Sequence, residues 1–207
     1  MPFVTFEGVE GCGKSTQLAM AAARLRERGH RVVVTREPGG TPMGERLRAI
    51  LMDPQERNLD PIAEWLLLEA DRRQHVRDVL KPALAGAGFV LCDRYSDSTE
   101  AYQRAGRGLD AQAIALVDAL ARDGLIPDLT LLYDLEPEEG LARARQRDGP
   151  AVGRFESAEL SFHQAVRDAY REIARREPRR VALVRADADP ASVFVETWRH
   201  IEEHLSP

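Results

Sequence analysis

Residues Gly8 to Ser15, G-V-E-G-C-G-K-S, constrain this chain more than any other segment. The apolar, β-rich residues Phe3 to Phe6 precede the turn. Behind it, Leu18, Ala22 and Leu25 repeat at helical spacing until Gly29. Strand, glycine turn and helix in that order form the phosphate loop G-x-x-x-x-G-K-[ST]. Glycines let the backbone wrap a phosphate closely, while free amides and the helix N-terminus supply partial positive charge. Lys14 adds a full charge for the β- and γ-oxygens, and Ser15 can ligate Mg²⁺. Gly8, Val9, Glu10, Gly11, Cys12, Gly13, Lys14, Ser15 and Thr16 are therefore the candidate ATP-binding residues. The chain has only two lysines, Lys14 and Lys81, so the lysine in the turn is not background.

The rest of the chain alternates strand and helix. Strands are expected at Arg31–Thr35, Phe89–Cys92, Leu129–Leu135 and Val181–Val184. Helices are expected at Met43–Met52, from Asp60-Pro61 to about Leu84, from Asp110 to near Gly124, at Glu136–Arg147 and at Ser157–Arg176, with a last one closing the chain. This predicts an α/β fold of P-loop NTPase type, a five-stranded parallel sheet flanked by helices on both faces. No repeat or linker divides the 207 residues, and that length suits one domain. The third strand runs into Asp93, a candidate metal or water contact.

A net charge of −5 does not indicate a general nucleic-acid surface. There is no apolar run for a membrane and no secretory signal. Two cysteines, Cys12 and Cys92, without metal spacing, fit reduced thiols in a cytoplasmic protein. A guanine-reading N-K-x-D segment is absent, which argues against a switch GTPase.

Three further segments narrow the class: T-R-E-P-G-G-T at Thr35–Thr41, D-R-R-Q-H at Asp71–His75, and D-R-Y at Asp93–Tyr95 leading to A-Y-Q at Ala101–Gln103 and G-R-G at Gly106–Gly108. With the phosphate loop, this ordered set resembles the thymidylate kinase family over nearly the whole chain. The resemblance implies phosphoryl transfer from ATP to dTMP with Mg²⁺, commonly in a homodimer. It implies that Arg94 and Arg36 meet the dTMP phosphate, with Arg48 a further candidate. Glu37 and Pro38 belong to the same substrate-binding turn. Arg72, Thr99 and Gln103 would contact the base, Tyr102 the sugar, and Glu10 the sugar or metal-bound water.

The lid is expected at about residues 140–156. Because the phosphate loop interior has no arginine, the resemblance requires the lid to supply the catalytic one, from Arg143, Arg147 or Arg154. Two departures stand out. Leu68 occupies the place where the family has a base-stacking phenylalanine, and Trp65, one turn earlier, is a candidate substitute. Gly153 replaces the usual lid aspartate. Arg36 and Glu37 pairing with each other on a loop is a simpler alternative for those two residues. A related small-molecule kinase, or a nucleotide-dependent switch, would also carry the phosphate loop.

Overall fold

The structure, a computed structural model, describes residues 2–56, 58–86, 88–148, 154–155 and 157–205. Strands β1 (Phe3–Gly8), β2 (Val32–Arg36), β3 (Phe89–Asp93), β4 (Leu129–Asp134) and β5 (Val181–Arg185) form one parallel sheet in the order β2-β3-β1-β4-β5. Every residue of β1 is buried. A central parallel strand is covered on both faces, which is why F-V-T-F is almost continuously apolar.

Helices α1 (Lys14–Glu27), α2 (Pro42–Met52), α3 (Pro61–His75), α4 (Lys81–Ala85), α5 (Ser96–Thr99), α6 (Ala111–Arg122), α7 (Pro137–Asp148), α8 (Leu160–Arg176) and α9 (Pro190–Leu205) flank it. Their ends follow the local chemistry. Asp60 caps α3 by accepting the Ile62 and Ala63 amides, with Pro61 at the first helical position, and Asp110 accepts the Ala113 amide. Gly29, at φ 85°, lets the His30 amide reach back to Leu25 O at 3.1 Å and close α1.

The long helix expected to about Leu84 is α3, a π turn at Val76–Leu80 and α4 in unbroken succession. Pro82 lacks the amide that a regular helix requires, and the π turn ends two residues before it, at Leu80. One helix was not expected: α5 continues through a second π turn, Glu100–Gly106. There Ala101, Tyr102 and Gln103 are buried in succession, a pattern outside the 3.6-residue period. The helix expected from Ser157 begins at Leu160.

Register fixes what the strand ends present. Asp93 of β3 lies beside Phe6 of β1 and Arg36 of β2. The phosphate loop, the T-R-E-P-G-G-T turn and the D-R-Y segment therefore leave the carboxyl ends of neighbouring strands, the edge where open α/β sheets bind ligands.

Candidate active site

The phosphate loop is shaped by its glycines. Gly8, Gly11 and Gly13 have φ of 142°, 69° and 87°. A Cβ on Gly8 would stand 2.5 Å from Tyr133 O, and one on Gly11 would stand 1.9 Å from Gly140 O. Helix α1 starts at Lys14 rather than Ser15. Its first turn is half-buried at Lys14 and exposed at Ser15 and Thr16, whereas Val9 and Cys12 are buried beneath the loop. Ser15 Oγ donates to Asp93 Oδ2 at 2.6 Å.

A cavity of about 220 Å³ opens beside this loop. Its wall contains Glu10, Gly11, Lys14 and Ser15 from the phosphate loop and Asp93 from the end of β3. Arg36, Glu37, Pro38, Arg48, Leu68, Arg72, Arg94, Thr99, Tyr102 and Gln103 come from the other segments. Side chains as far apart in sequence as Glu10 and Gln103 thus share one space.

Arg94 is gripped at both ends. Nη1 donates to Ser98 Oγ and Tyr170 OH, each at 3.2 Å, and Nη2 donates to Glu10 Oε1 at 3.1 Å and Tyr102 OH at 3.0 Å. The Tyr102 ring lies 4.9 Å from its guanidinium carbon. Burial opposes the charge of Glu10, yet His163, Arg94, Lys14 and Tyr102 together hold its pKa down to about 2. His163 Nδ1, buried on α8, is 3.3 Å from Glu10 Oε2.

The pairing of Arg36 with Glu37 does not occur. Arg36 donates to Glu45 Oε2 at 2.7 Å, while Glu37 accepts from Arg72 Nε and faces His75 Nδ1, both at 2.9 Å. Successive residues of an extended chain face opposite sides. Arg72 also donates to Glu69, Thr99 and Asp118, so its guanidinium is locked among three carboxylates at the cavity wall. Arg48 donates to Pro38 O at 3.0 Å, which braces the turn from α2. The Gln103 amide nitrogen donates to the buried Glu64 at 2.8 Å.

The three arginines expected in a lid separate. Arg147 lines the cavity. Arg143 donates to Ala186 O at 3.0 Å and to Glu139 at 2.5 Å. Arg154 donates to Leu51 O at 2.9 Å and to Glu64 at 2.6 Å, fastening its segment to α2 and α3. Gly153 and Glu156, like most of 149–156, lie outside the described residues. Trp65 does not take the place of a stacking ring. It is buried, 6% exposed, and is not part of the cavity wall, where Leu68 is joined by Met52 and Phe155.

A family model described as thymidylate kinase matches residues 6–195. The chain belongs to the thymidylate kinase family. A thymidylate kinase of Trichlorobacter lovleyi is 52% identical over 195 residues, covering 92% of each chain. One of Deinococcus radiodurans is 47% identical over 201 residues, covering 97% of this chain and 96% of that one. The crystal structure of thymidylate kinase from Ehrlichia chaffeensis superposes with a TM-score of 0.78 at 33% identity, covering 97% of this chain and 98% of that one. As a dTMP kinase, the chain uses ATP and dTMP as its substrates.

The site also contains residues that sequence reasoning passed over: Met52, Asp71, Tyr95, Ser98 and Phe155 in the wall, and Glu7, His163 and Tyr170 behind it. Asp71 and Tyr95 stood inside the quoted D-R-R-Q-H and D-R-Y segments. Glu7 preceded the first glycine of the loop. Nothing in the local sequence of α8 pointed to His163 or Tyr170.

Proposed function

We propose that the chain converts dTMP to dTDP by in-line transfer between an ATP held on the phosphate loop and a dTMP held by Arg36, Arg48 and Arg94. The observation that carries this is the single cavity into which Lys14 and those three arginines all open. Transfer between two polyanions is chiefly a matter of positioning and charge neutralisation, so cations converging from separate elements supply what the reaction lacks. Lys14 meets the β- and γ-oxygens. Glu10 and Tyr102 meet the sugar. Arg72, Thr99, Gln103 and Leu68 bound the base.

Arg147 is the lid arginine that meets the transferred phosphoryl, because it is the one of the three candidates in the cavity wall. The oxygens of Ser15 and Asp93 suit a hard cation. Among the described residues no cluster of three or more His, Cys, Asp or Glu could hold a metal without the nucleotide. Ser15 and Asp93, the latter through water, would hold Mg²⁺ together with ATP, and the ion would neutralise charge on the β- and γ-oxygens.

We also propose that the chain is one cytoplasmic kinase domain with its lid at about 140–156, acting as a homodimer. Ile62 and Leu66 on α3, with Leu116 and Leu120 on α6, are 50–74% exposed on two helices that pack together. Each pair is spaced by four and shares a helix face. Light scattering of wild type and Leu116→Asp/Leu120→Asp distinguishes dimer from monomer. A wild-type monomer would rule the dimer out.

The reaction is tested by ADP release with ATP, Mg²⁺ and a panel of dTMP, dUMP, dCMP, AMP, UMP and thymidine. Turnover restricted to dTMP is expected. Comparable turnover with dUMP would show that a leucine at position 68 makes the base pocket permissive. No turnover with any acceptor would overturn the assignment.

A further inference from the structure

Glu7 is the penultimate residue of β1, directly before Gly8, the first residue of the phosphate loop, and is fully buried. It is not part of the cavity wall, so none of the roles above uses it. Its carboxylate is nevertheless elaborately supplied. The Tyr95 amide donates to Oε1 at 2.7 Å. The hydroxyls of Ser98 and Tyr170 donate to Oε2 at 2.6 and 2.8 Å.

Each hydroxyl has one proton. Ser98 Oγ and Tyr170 OH also lie 2.8 Å apart, and a proton placed between them would be withdrawn from Glu7. A charged carboxylate is the stronger acceptor, so it favours both protons pointing at Glu7, and both oxygens then turn their lone pairs elsewhere. Arg94 Nη1 lies 3.2 Å from each of those oxygens. A guanidinium has donors only, so it is held well only by groups oriented as acceptors. Arg94 also has a left-handed backbone, φ 69°, shared among described non-glycine residues only with Asp123. A bulky residue in that region is strained and persists where its surroundings determine it.

We infer that Glu7 is a positioning residue for Arg94, its carboxylate drawing the Ser98 and Tyr170 protons inward so that both hydroxyls accept from the guanidinium that meets the dTMP phosphate. The inference rests on the reading of Arg94 as a phosphate-binding residue. Glutamine at position 7 would have an amide NH₂ to place, and so would reverse at least one hydroxyl. A protonated carboxyl acts in the same direction. Burial and the neighbouring Asp97 raise the Glu7 pKa, Arg94, Ser98 and Tyr170 oppose them, and the balance stands at about 7. The grip on Arg94 therefore loosens as pH falls through that value.

The test is calorimetric binding of dTMP and of thymidine, which lacks the phosphate, to the intact protein and to Glu7→Gln, Tyr170→Phe, Ser98→Ala and Arg94→Gln. Glu7→Gln is expected to weaken dTMP about tenfold, as for loss of one hydrogen bond to a charged group, while thymidine stays within about twofold. Tyr170→Phe and Ser98→Ala each remove one of the two acceptors and are expected to weaken dTMP by less, again sparing thymidine. The dTMP advantage of wild type over Glu7→Gln should shrink below pH 7, whereas ionisation of the substrate's own phosphate is common to both proteins.

Equal losses for dTMP and thymidine would show a merely structural role and overturn the inference, as would unchanged dTMP binding in Glu7→Gln. If Glu7→Gln does not fold, unchanged dTMP binding in both Tyr170→Phe and Ser98→Ala overturns it. Unchanged dTMP binding in Arg94→Gln would instead remove the phosphate role of Arg94 on which the inference stands.

Discussion

The Ser15 hydroxyl donates to the Asp93 carboxylate at 2.6 Å, joining the first turn of α1 to the end of β3. The register of β1 and β3, with Phe6 beside Asp93, makes this contact possible. The two oxygens satisfy each other here. In the proposed Michaelis complex they serve Mg²⁺–ATP. Asp93→Asn is therefore expected to raise the Mg²⁺ concentration for half-maximal rate by about 10- to 100-fold, the usual cost of losing a group that orients a metal's water. Chelation should abolish turnover, and excess Mg²⁺ should restore it. An Mg²⁺ titration that is unchanged in Asp93→Asn would take Asp93 out of the metal site.

The proposed lid offers a sharper comparison, because its three candidate arginines sit in three different environments. Arg147 lines the cavity, Arg143 is tied to Ala186 O, and Arg154 is tied to Leu51 O and Glu64. Arg147→Ala should lower the single-turnover rate by about a thousandfold, at the low end for an arginine that stabilises a transferring phosphoryl group. Arg143→Ala should cost less. Arg154→Ala should act mainly by loosening the lid segment, with KM for ATP changing alongside kcat. A larger single-turnover loss in Arg143→Ala than in Arg147→Ala would transfer the role.

What the sequence made legible follows from range. The phosphate loop, the caps Asp60 and Asp110 and the glycine end of α1 are decided within a few residues, and all stand where the pattern put them. Helix α5 with its π turn was hidden because three successive buried residues, Ala101 to Gln103, fit neither a strand nor a regular helix. Trp65 and Leu68 share a helix face by spacing, yet one fills the core and the other the cavity wall. Spacing places residues on a face and does not say where along that face the core ends. The contacts of Glu7 with Ser98 and Tyr170 span 91 and 163 residues, and no local pattern encodes them.

Gly140 shows a constraint of the same long range. A Cβ there would stand 2.3 Å from Glu10 O, and one on Gly11 would stand 1.9 Å from Gly140 O. The phosphate loop and the first turn of α7 thus meet backbone to backbone. In an open helix interior, replacing glycine by alanine stabilises by roughly 0.5–1 kcal/mol. Here the clash should reverse that sign and destabilise by about 1–3 kcal/mol, as overpacking does. Gly140→Ala should therefore lower Tm and raise KM for ATP together. A higher Tm would mean that α7 can back away from the loop without cost.

Asp71 yields a pH-dependent prediction whose sign is fixed by its surroundings. Its carboxylate is buried on α3, and both oxygens lie 3.2 Å from the Gly39 amide. Burial and then the neighbouring Glu37 charge raise its pKa to about 7, against the pull of the Gly39 amide, His75 and Arg72. A carboxyl group raised above its unfolded value favours the fold in its protonated form. That contribution is fully present below the unfolded pKa of 3.8 and is lost as pH rises through about 7. Asparagine cannot ionise and keeps an acceptor for the Gly39 amide. The Tm of Asp71→Asn minus that of wild type should therefore climb between about pH 5 and pH 8. Glu7 titrates in the same range but is present in both proteins and cancels in the difference. A difference that is flat or falling over that interval would mean that Asp71 is ionised in the fold at neutral pH, with the Gly39 amide, His75 and Arg72 outweighing its burial.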